Sequence, residues 1–156
     1  MKRRLYALFL VLGLSVALLG VVRRTEATLG GSVNSVATDR RMMTAVQGTT
    51  TVHNSYTVHE FETSSTTVRE YVSAKGIVFG LSWKGLMEPD LTQLLGSYAS
   101  DYLNALAKSA RRHGSRQLQV KTRTVVVEKW GHMRSLQGRA YAPDLIPSGV
   151  SIDEIR

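Results

Sequence analysis

The stretch Val68–Tyr98, VREYVSAKGIVFGLSWKGLMEPDLTQLLGSY, holds the clearest strand in the chain, a tight turn on each side of it, and the opening of the clearest helix. Side chains alternate along a strand. Ile77, Phe79, Leu81 and Trp83 therefore share one face, and Val78, Gly80, Ser82 and Lys84 the other. One apolar face and one small or polar face is the pattern of a half-buried antiparallel strand. At roughly 1.5–3 kcal/mol for each buried apolar side chain, this strand is the expected centre of the core.

Upstream, Tyr56–Glu62 and Thr67–Ser73 read as two strands of a hairpin, and Lys75-Gly76 turns the second of them into the central strand. A four-residue turn followed by a two-residue turn sets the register. Phe61 opposes Val68, His59 opposes Glu70, Glu60 opposes Arg69 on the outer face, Val68 opposes Trp83, and Val72 opposes Phe79. Two independent turns agree on one apolar face.

Downstream the period changes from two to 3.6 at Pro89-Asp90. Leu91, Leu94, Leu95, Tyr98, Tyr102, Leu106 and Ala110 trace one helical stripe. Asp90 with Gln93 fits a capping box, and Arg111, Arg112, His113 and Gly114 have the chemistry of a helix C-terminus. Gly96 is a weak point that kinks this helix or splits off its first turn. The stripe is expected to lie on the Phe79/Trp83 face. Gln117–Trp130 reads as a strand, Gly131-His132 as a turn and Met133–Tyr141 as a final strand. The fold class is α+β: an antiparallel β-meander with one long amphipathic helix packed on one face, in the order β-β-β-α-β-β.

The ends of the chain differ in character from this core. Lys2, Arg3 and Arg4 precede an uninterrupted apolar or small run from Leu5 to Val22, followed by Thr25-Glu26-Ala27. That is the layout of a secretory signal peptide over residues 1–27. The alternative is an uncleaved anchor, since the run is nearly long enough to span a bilayer, and this is the only expected membrane contact. Either way the domain lies outside the cytoplasm, periplasmic or secreted. Residues 28–55 read as a linker with a possible short helix around Ser32–Ala45, and Gln47–Thr51 as a loop leading into the sheet. Residues 56–142 form the α+β domain. Residues 143–156, with Pro143, Pro147 and Gly149, read as an extended arm whose Leu145, Ile146, Val150 and Ile152 are placed to tuck against the domain.

There is no cysteine, so the domain is held by its core alone. Loss of residues 1–27 removes five basic residues and Glu26, leaving 15 basic and 11 acidic residues. The net charge falls from +8 to +4. Nucleic acid is therefore not an expected partner, and no aromatic platform is interleaved with the basic residues.

Several segments together, Leu29-Gly30-Gly31, Tyr56–Glu60, Val68–Val72, Val78-Phe79-Gly80, Ser82-Trp83, Pro89-Asp90-Leu91 with Leu94-Leu95-Gly96, Gly138–Tyr141 and Pro147–Ser151, resemble the pattern of one family. It is a set of small exported proteins of Gram-negative bacteria classified as a domain of unknown function. The resemblance covers essentially all of the chain after residue 27. It implies export and a single small domain, and it supplies no catalytic residue.

No motif assigns a catalytic residue, a cofactor or a metal. Gly80-Leu81-Ser82-Trp83-Lys84 lacks the second glycine of a nucleophile elbow, and Ser82 sits inside an alternating strand rather than at a sharp turn. Leu86 stands where a phosphate loop after Gly80 and Gly85 requires lysine. His53 and His59 on one strand are about 20 Å apart at roughly 3.3 Å per residue, too far to share an ion. His59 with Glu70 is a cross-strand polar pair, and with Glu60 and Arg69 it is the one nominee for a polar surface site. Lys108, Arg111, Arg112, Arg116, Lys121 and Arg123 are the candidates for anion contact, for which the simpler account is helix-end pairing and a solvated strand face. The expected function is a non-enzymatic binding or structural module of the envelope, whose partner is an unidentified envelope or extracellular protein or polymer, engaged through an exposed strand edge or the proline-containing arm. The alternatives are an enzyme with a site around His59 and Glu70, and a binder of an anionic envelope polymer.

Overall fold

The computed structural model describes residues 29–33, 36, 41, 43, 45–109 and 116–156. The signal peptide or anchor reading of residues 1–27 lies outside them. Most of the short helix expected at Ser32–Ala45 does too, although Val33, Val36 and Arg41 have helical backbone.

Seven strands form one antiparallel sheet: β1 (Val46–Val52), β2 (Tyr56–Glu62), β3 (Thr66–Ser73), β4 (Val78–Gly85), β5 (Gln117–Lys121), β6 (Val126–His132) and β7 (Ser135–Tyr141). Their order is β1-β2-β3-β4-β7-β6-β5, so two meanders meet where β4 pairs with β7. The helical connection from β4 to β5 comprises α1 (Leu91–Leu95), a 3-10 turn at Gly96–Tyr98 and α2 (Ala99–Lys108). The α+β class and the helical roof follow the expectation from sequence.

The strand count does not. Gln47–Thr51 is no loop: it is the middle of β1, paired antiparallel with β2 through an irregularity between Gln47 and Thr50. Gln117–Trp130 is two strands, β5 and β6, separated by a turn in which Thr122 Oγ1 accepts from the amides of Thr124 and Val125 at 3.2 and 2.9 Å. A threonine hydroxyl supplies the turn that glycine or proline would have announced. The last hairpin turns at Met133-Arg134 instead of Gly131-His132, with Arg134 at φ 70°.

The central register holds at Phe61–Val68, His59–Glu70, Glu60–Arg69 and Val68–Trp83. It fails at the next step. Val72 faces Val78, not Phe79, because Phe79 is the extra residue of a β-bulge. The bulge reverses the alternation, so Phe79 does not share a face with Leu81 and Trp83.

Each face therefore has its own core. On the first, Phe61, Val68, Leu81 and Trp83 pack under Leu91, Leu94, Leu95 and Tyr102 of the helical layer, with Leu29 beside them. Asp90 caps α1, its Oδ1 accepting from the amides of Thr92 and Gln93, and Gly96 ends it, so the helix is split where Gly96 stands. Gly138 gives the Trp83 ring room: a Cβ there would lie 2.2 Å from the indole.

On the second face Phe79 packs with Tyr56, Tyr71, Val126, Tyr141 and Ile155. The cover here is the C-terminal segment, which is strapped down over the sheet. Ile155 is fully buried against Gly80, where a Cβ would stand 2.9 Å from Ile155 Cδ1. Leu145, Ile146 and Val150 pack on this cluster as expected, whereas Ile152 stays 38 % exposed. Among the described residues no helix is long and apolar enough to cross a membrane.

Candidate functional site

The strap-side face is where polar side chains meet open space. Strap residues are tied to the sheet by specific bonds. Tyr56 Oη donates to Glu154 Oε2 at 2.7 Å, and Glu154 Oε1 accepts from the Ser151 amide in a capping box. Tyr71 Oη donates to the Arg156 carbonyl at 2.8 Å, and Arg69 donates to the same carbonyl at 2.9 Å. Arg139 donates to the Ile152 carbonyl. These contacts tune the groups involved. Burial and the bond to Glu154 push the Tyr56 phenol up to about 12, while the Ser151 amide and Tyr56 hold the Glu154 carboxyl below its usual range.

The strap covers only the aromatic half of this face. Beside it, Glu60, Arg69, Ser82, Lys84, Gln137 and Trp130 line a cavity of about 230 Å³. Two ion pairs, Arg69–Glu60 and Arg139–Glu128, lie across adjacent strands here, each at 2.5 Å. Trp130 sits opposite Gln137 on β7 and Gln117 on β5. Ser82 is buried within β4, with its Oγ 3.5 Å from Tyr71 Oη, and so has no elbow geometry.

The four residues nominated from sequence divide between the two faces. Glu60 and Arg69 lie on the strap side, paired with each other. By the alternation that points Phe61 and Val68 at the helices, His59 and Glu70 lie on the opposite side. His59 Nδ1 is 3.2 Å from Thr50 Oγ1 of β1, and burial lowers its pKa. Glu70 is 2 % exposed. A single site containing all four is thus ruled out by the sheet itself.

Of the basic candidates, Arg111 and Arg112 lie outside the described residues. Lys108 ends α2, and Arg116, Lys121 and Arg123 are exposed around β5. Lys129 on β6 is a further cation, outside that set. It lies over the Tyr102 ring and pairs with Glu88 at 2.5 Å; burial lowers its pKa, but Glu88 and Tyr102 outweigh that and raise it. Among the described residues no group of three His, Asp or Glu side chains is placed to hold a metal ion.

A family model described as a protein of unknown function, DUF2844, matches residues 25–155. The chain belongs to the DUF2844 family. No curated protein and no solved structure matches it. The match in this DUF2844 chain runs through β1 and on to Ile155, so it takes in both the edge strand and the strap.

Two features of this DUF2844 domain escaped the sequence reading. Ile155 follows Asp153-Glu154 in a segment with prolines and looks unremarkable as sequence, and only the socket over Gly80 gives it meaning. Trp130 was placed on a strand, but its face depends on the Thr122 turn, which shifts where the alternation starts. A tryptophan set apart from the Val125–Val127 run by Glu128-Lys129 was the available signal.

Proposed function

We propose that this DUF2844 protein is an exported, non-enzymatic binding module of the cell envelope, engaging an extended segment of another protein along the outer edge of β1. The observation that carries the reading is that edge. Among the described residues nothing pairs with β1 on the side away from β2. From Ala45 to Val52 it has neither charge nor proline, two of the devices by which soluble proteins protect an edge strand; the irregularity between Gln47 and Thr50 leaves the Thr50–Val52 end regularly paired, and Val46 and Val52 are 74 % and 78 % exposed. An unprotected edge recruits a strand through backbone hydrogen bonds, with side-chain contacts at alternate positions.

Export rests on the basic head, the apolar run Leu5–Val22 and the small residues around Ala27. The enzyme alternative draws no support from geometry in which His59 and Glu70 lie on the face opposite Glu60 and Arg69. The proline-containing arm, the other binding element considered, is occupied with covering the sheet.

The test is site-specific photo-crosslinking of the protein expressed with its own N-terminus in a Gram-negative host. A crosslinker at Thr49 is expected to give an adduct of defined mass in the envelope fraction, and one at the exposed Leu103 of α2 none. Recovery of the protein solely from the cytoplasm, or equal adducts at both positions, would refute the proposal.

A further inference from the structure

A different surface carries an inference of its own. Three depressions line up across the strap-side face. The first, of about 550 Å³, runs from Thr49 and Thr51 of β1 past Tyr56 to Glu60, Arg69 and Arg156. The second is the cavity already described, which shares Glu60, Arg69 and Arg156 with the first. The third, of about 500 Å³, is lined by Gln117, Gln119, Glu128 and Arg139 and shares Trp130 with the second. Through these shared residues they adjoin one another across the strands from the β1 edge to the β5 edge, a series we call the trough. Six inter-strand steps at about 4.8 Å make it roughly 29 Å long.

We infer that this trough is a binding site for a linear, neutral polysaccharide, with Trp130 as its stacking platform. The lining excludes other classes. Four cations, Arg69, Lys84, Arg139 and Arg156, stand against four carboxylates, Glu60, Glu62, Glu128 and Glu154, since Lys129 turns to the other face and its Glu88 partner. Two of these pairs neutralise each other across strands. A polyanion finds no surplus of positive charge there, although the whole chain carries +8. A lipid finds no continuous apolar lining. An extended peptide reads free backbone groups, and those lie at the sheet edge, whereas the trough floor presents side chains.

Sugar hydroxyls both donate and accept. The trough supplies amides that do both, at Gln117, Gln119 and Gln137, next to carboxylates and guanidinium groups fixed in place by their ion pairs. Gln119 Nε2 donates to Glu128 Oε1 at 2.6 Å, so the amide is already oriented by the carboxylate beside it. Trp130 supplies what the polar groups lack. It is partly exposed at the junction of two of the depressions, and among the described residues no ring packs on it and nothing accepts its indole N–H. A flat apolar ring with one polar handle, flanked by hydrogen-bonding groups, matches the C–H face and hydroxyl rim of a pyranose. The length of the trough accommodates several sugar units in a row, so affinity should rise with chain length.

The test uses the full chain titrated with cellohexaose, maltohexaose and chitohexaose, followed by indole fluorescence and calorimetry. Trp83 is buried under the helices, so a ligand-dependent change in emission reports Trp130. One of the three is expected to bind, more tightly than its disaccharide and with little change on raising the salt concentration. Trp130→Ala should lower that affinity at least tenfold and Gln137→Ala severalfold, with circular dichroism unchanged. Trp130→Phe, which keeps a ring, should retain most of it. No binding of any of the three at millimolar concentration overturns the inference. So does binding that neither Trp130→Ala nor Gln137→Ala weakens, or retention confined to a sulfated polymer and abolished by salt. Because the readout is at β6 and β7, its failure leaves the β1 edge proposal standing, and failure of crosslinking at Thr49 leaves this one standing.

Discussion

Replacing Gly80 by alanine tests whether the C-terminal segment is locked onto the sheet through Ile155. The new Cβ would sit 2.9 Å from Ile155 Cδ1 and 3.5 Å from its Cγ1, with the Ala140 carbonyl oxygen at 3.6 Å. Only the first of these is well inside the contact distance of about 3.5–4.0 Å. Overpacking of this kind costs about 1–3 kcal/mol. Ile155→Val deletes that same Cδ1 and costs about 0.5–1.5 kcal/mol by itself. In the double variant the clash is gone, so its cost should approach that of Ile155→Val alone. The non-additivity should be about 1 kcal/mol or more. Any gain from stiffening the unfolded chain at position 80, about 0.4–1 kcal/mol, is common to both backgrounds and cancels in the cycle. Urea denaturation of the wild type, both single variants and the double variant gives the four free energies. Additivity within about 0.3 kcal/mol would mean that Ile155 does not occupy the space over Gly80, and the account of the strap would fall with it.

Two further outcomes follow from the helix-side face. Gly138→Ala places a Cβ 2.2 Å from the Trp83 ring and 2.7 Å from the Glu128 carbonyl oxygen, so neither the buried ring nor the backbone can yield cheaply; destabilisation at the upper end of the 1–3 kcal/mol overpacking range, or loss of folded protein, should show in the thermal midpoint. Burial depresses the His59 pKa below its ordinary 6.5, so its contribution to stability is fully present above pH 6.5 and is lost as pH falls from there toward the folded value; His59→Gln should flatten that part of a stability-versus-pH curve, and an unchanged slope would show that His59 titrates as a free side chain.

How much of this was legible depended on which signal each residue carried. Phe61, Val68 and Trp83 were placed opposite their partners because two short turns fix register and a one-residue slip would expose every one of them. Asp90 as N-cap and Gly96 as the helix break were legible because capping and helix breaking are local chemistry, whereas the Gln93 half of the expected capping box does not form. Phe79 was misplaced, since a bulge conserves the apolar alternation of the sequence while reversing its direction in space. β1 was missed because Gln47-Gly48-Thr49-Thr50-Thr51 has the composition of a loop, and its strand conformation comes from pairing with β2. The trough was out of reach for a different reason. Glu60, Lys84, Gln119 and Trp130 come from strands far apart in sequence, and only the β4–β7 pairing brings the two meanders, and therefore these side chains, onto one surface.

The bulge at Phe79 connects the strap to the trough. Without it, Phe79 would join Leu81 and Trp83 under the helices, and the strap-side face would lose the ring that meets Tyr56 edge-on, at 5.9 Å and 87°. Tyr56, Tyr71, Val126 and Tyr141 alone would offer the C-terminal segment a smaller apolar floor. With Phe79 turned to the strap, that floor is confined to the end of the sheet where β4 begins and β7 ends, and Ile155 docks there on Gly80. From Ser82 onward along β4 the same face becomes polar, with Lys84 next, and nothing apolar remains to hold the strap. The apolar contacts of the strap are therefore confined to the aromatic floor. The open trough, with Trp130 in it, is the part of the face that the strap has no physical reason to cover.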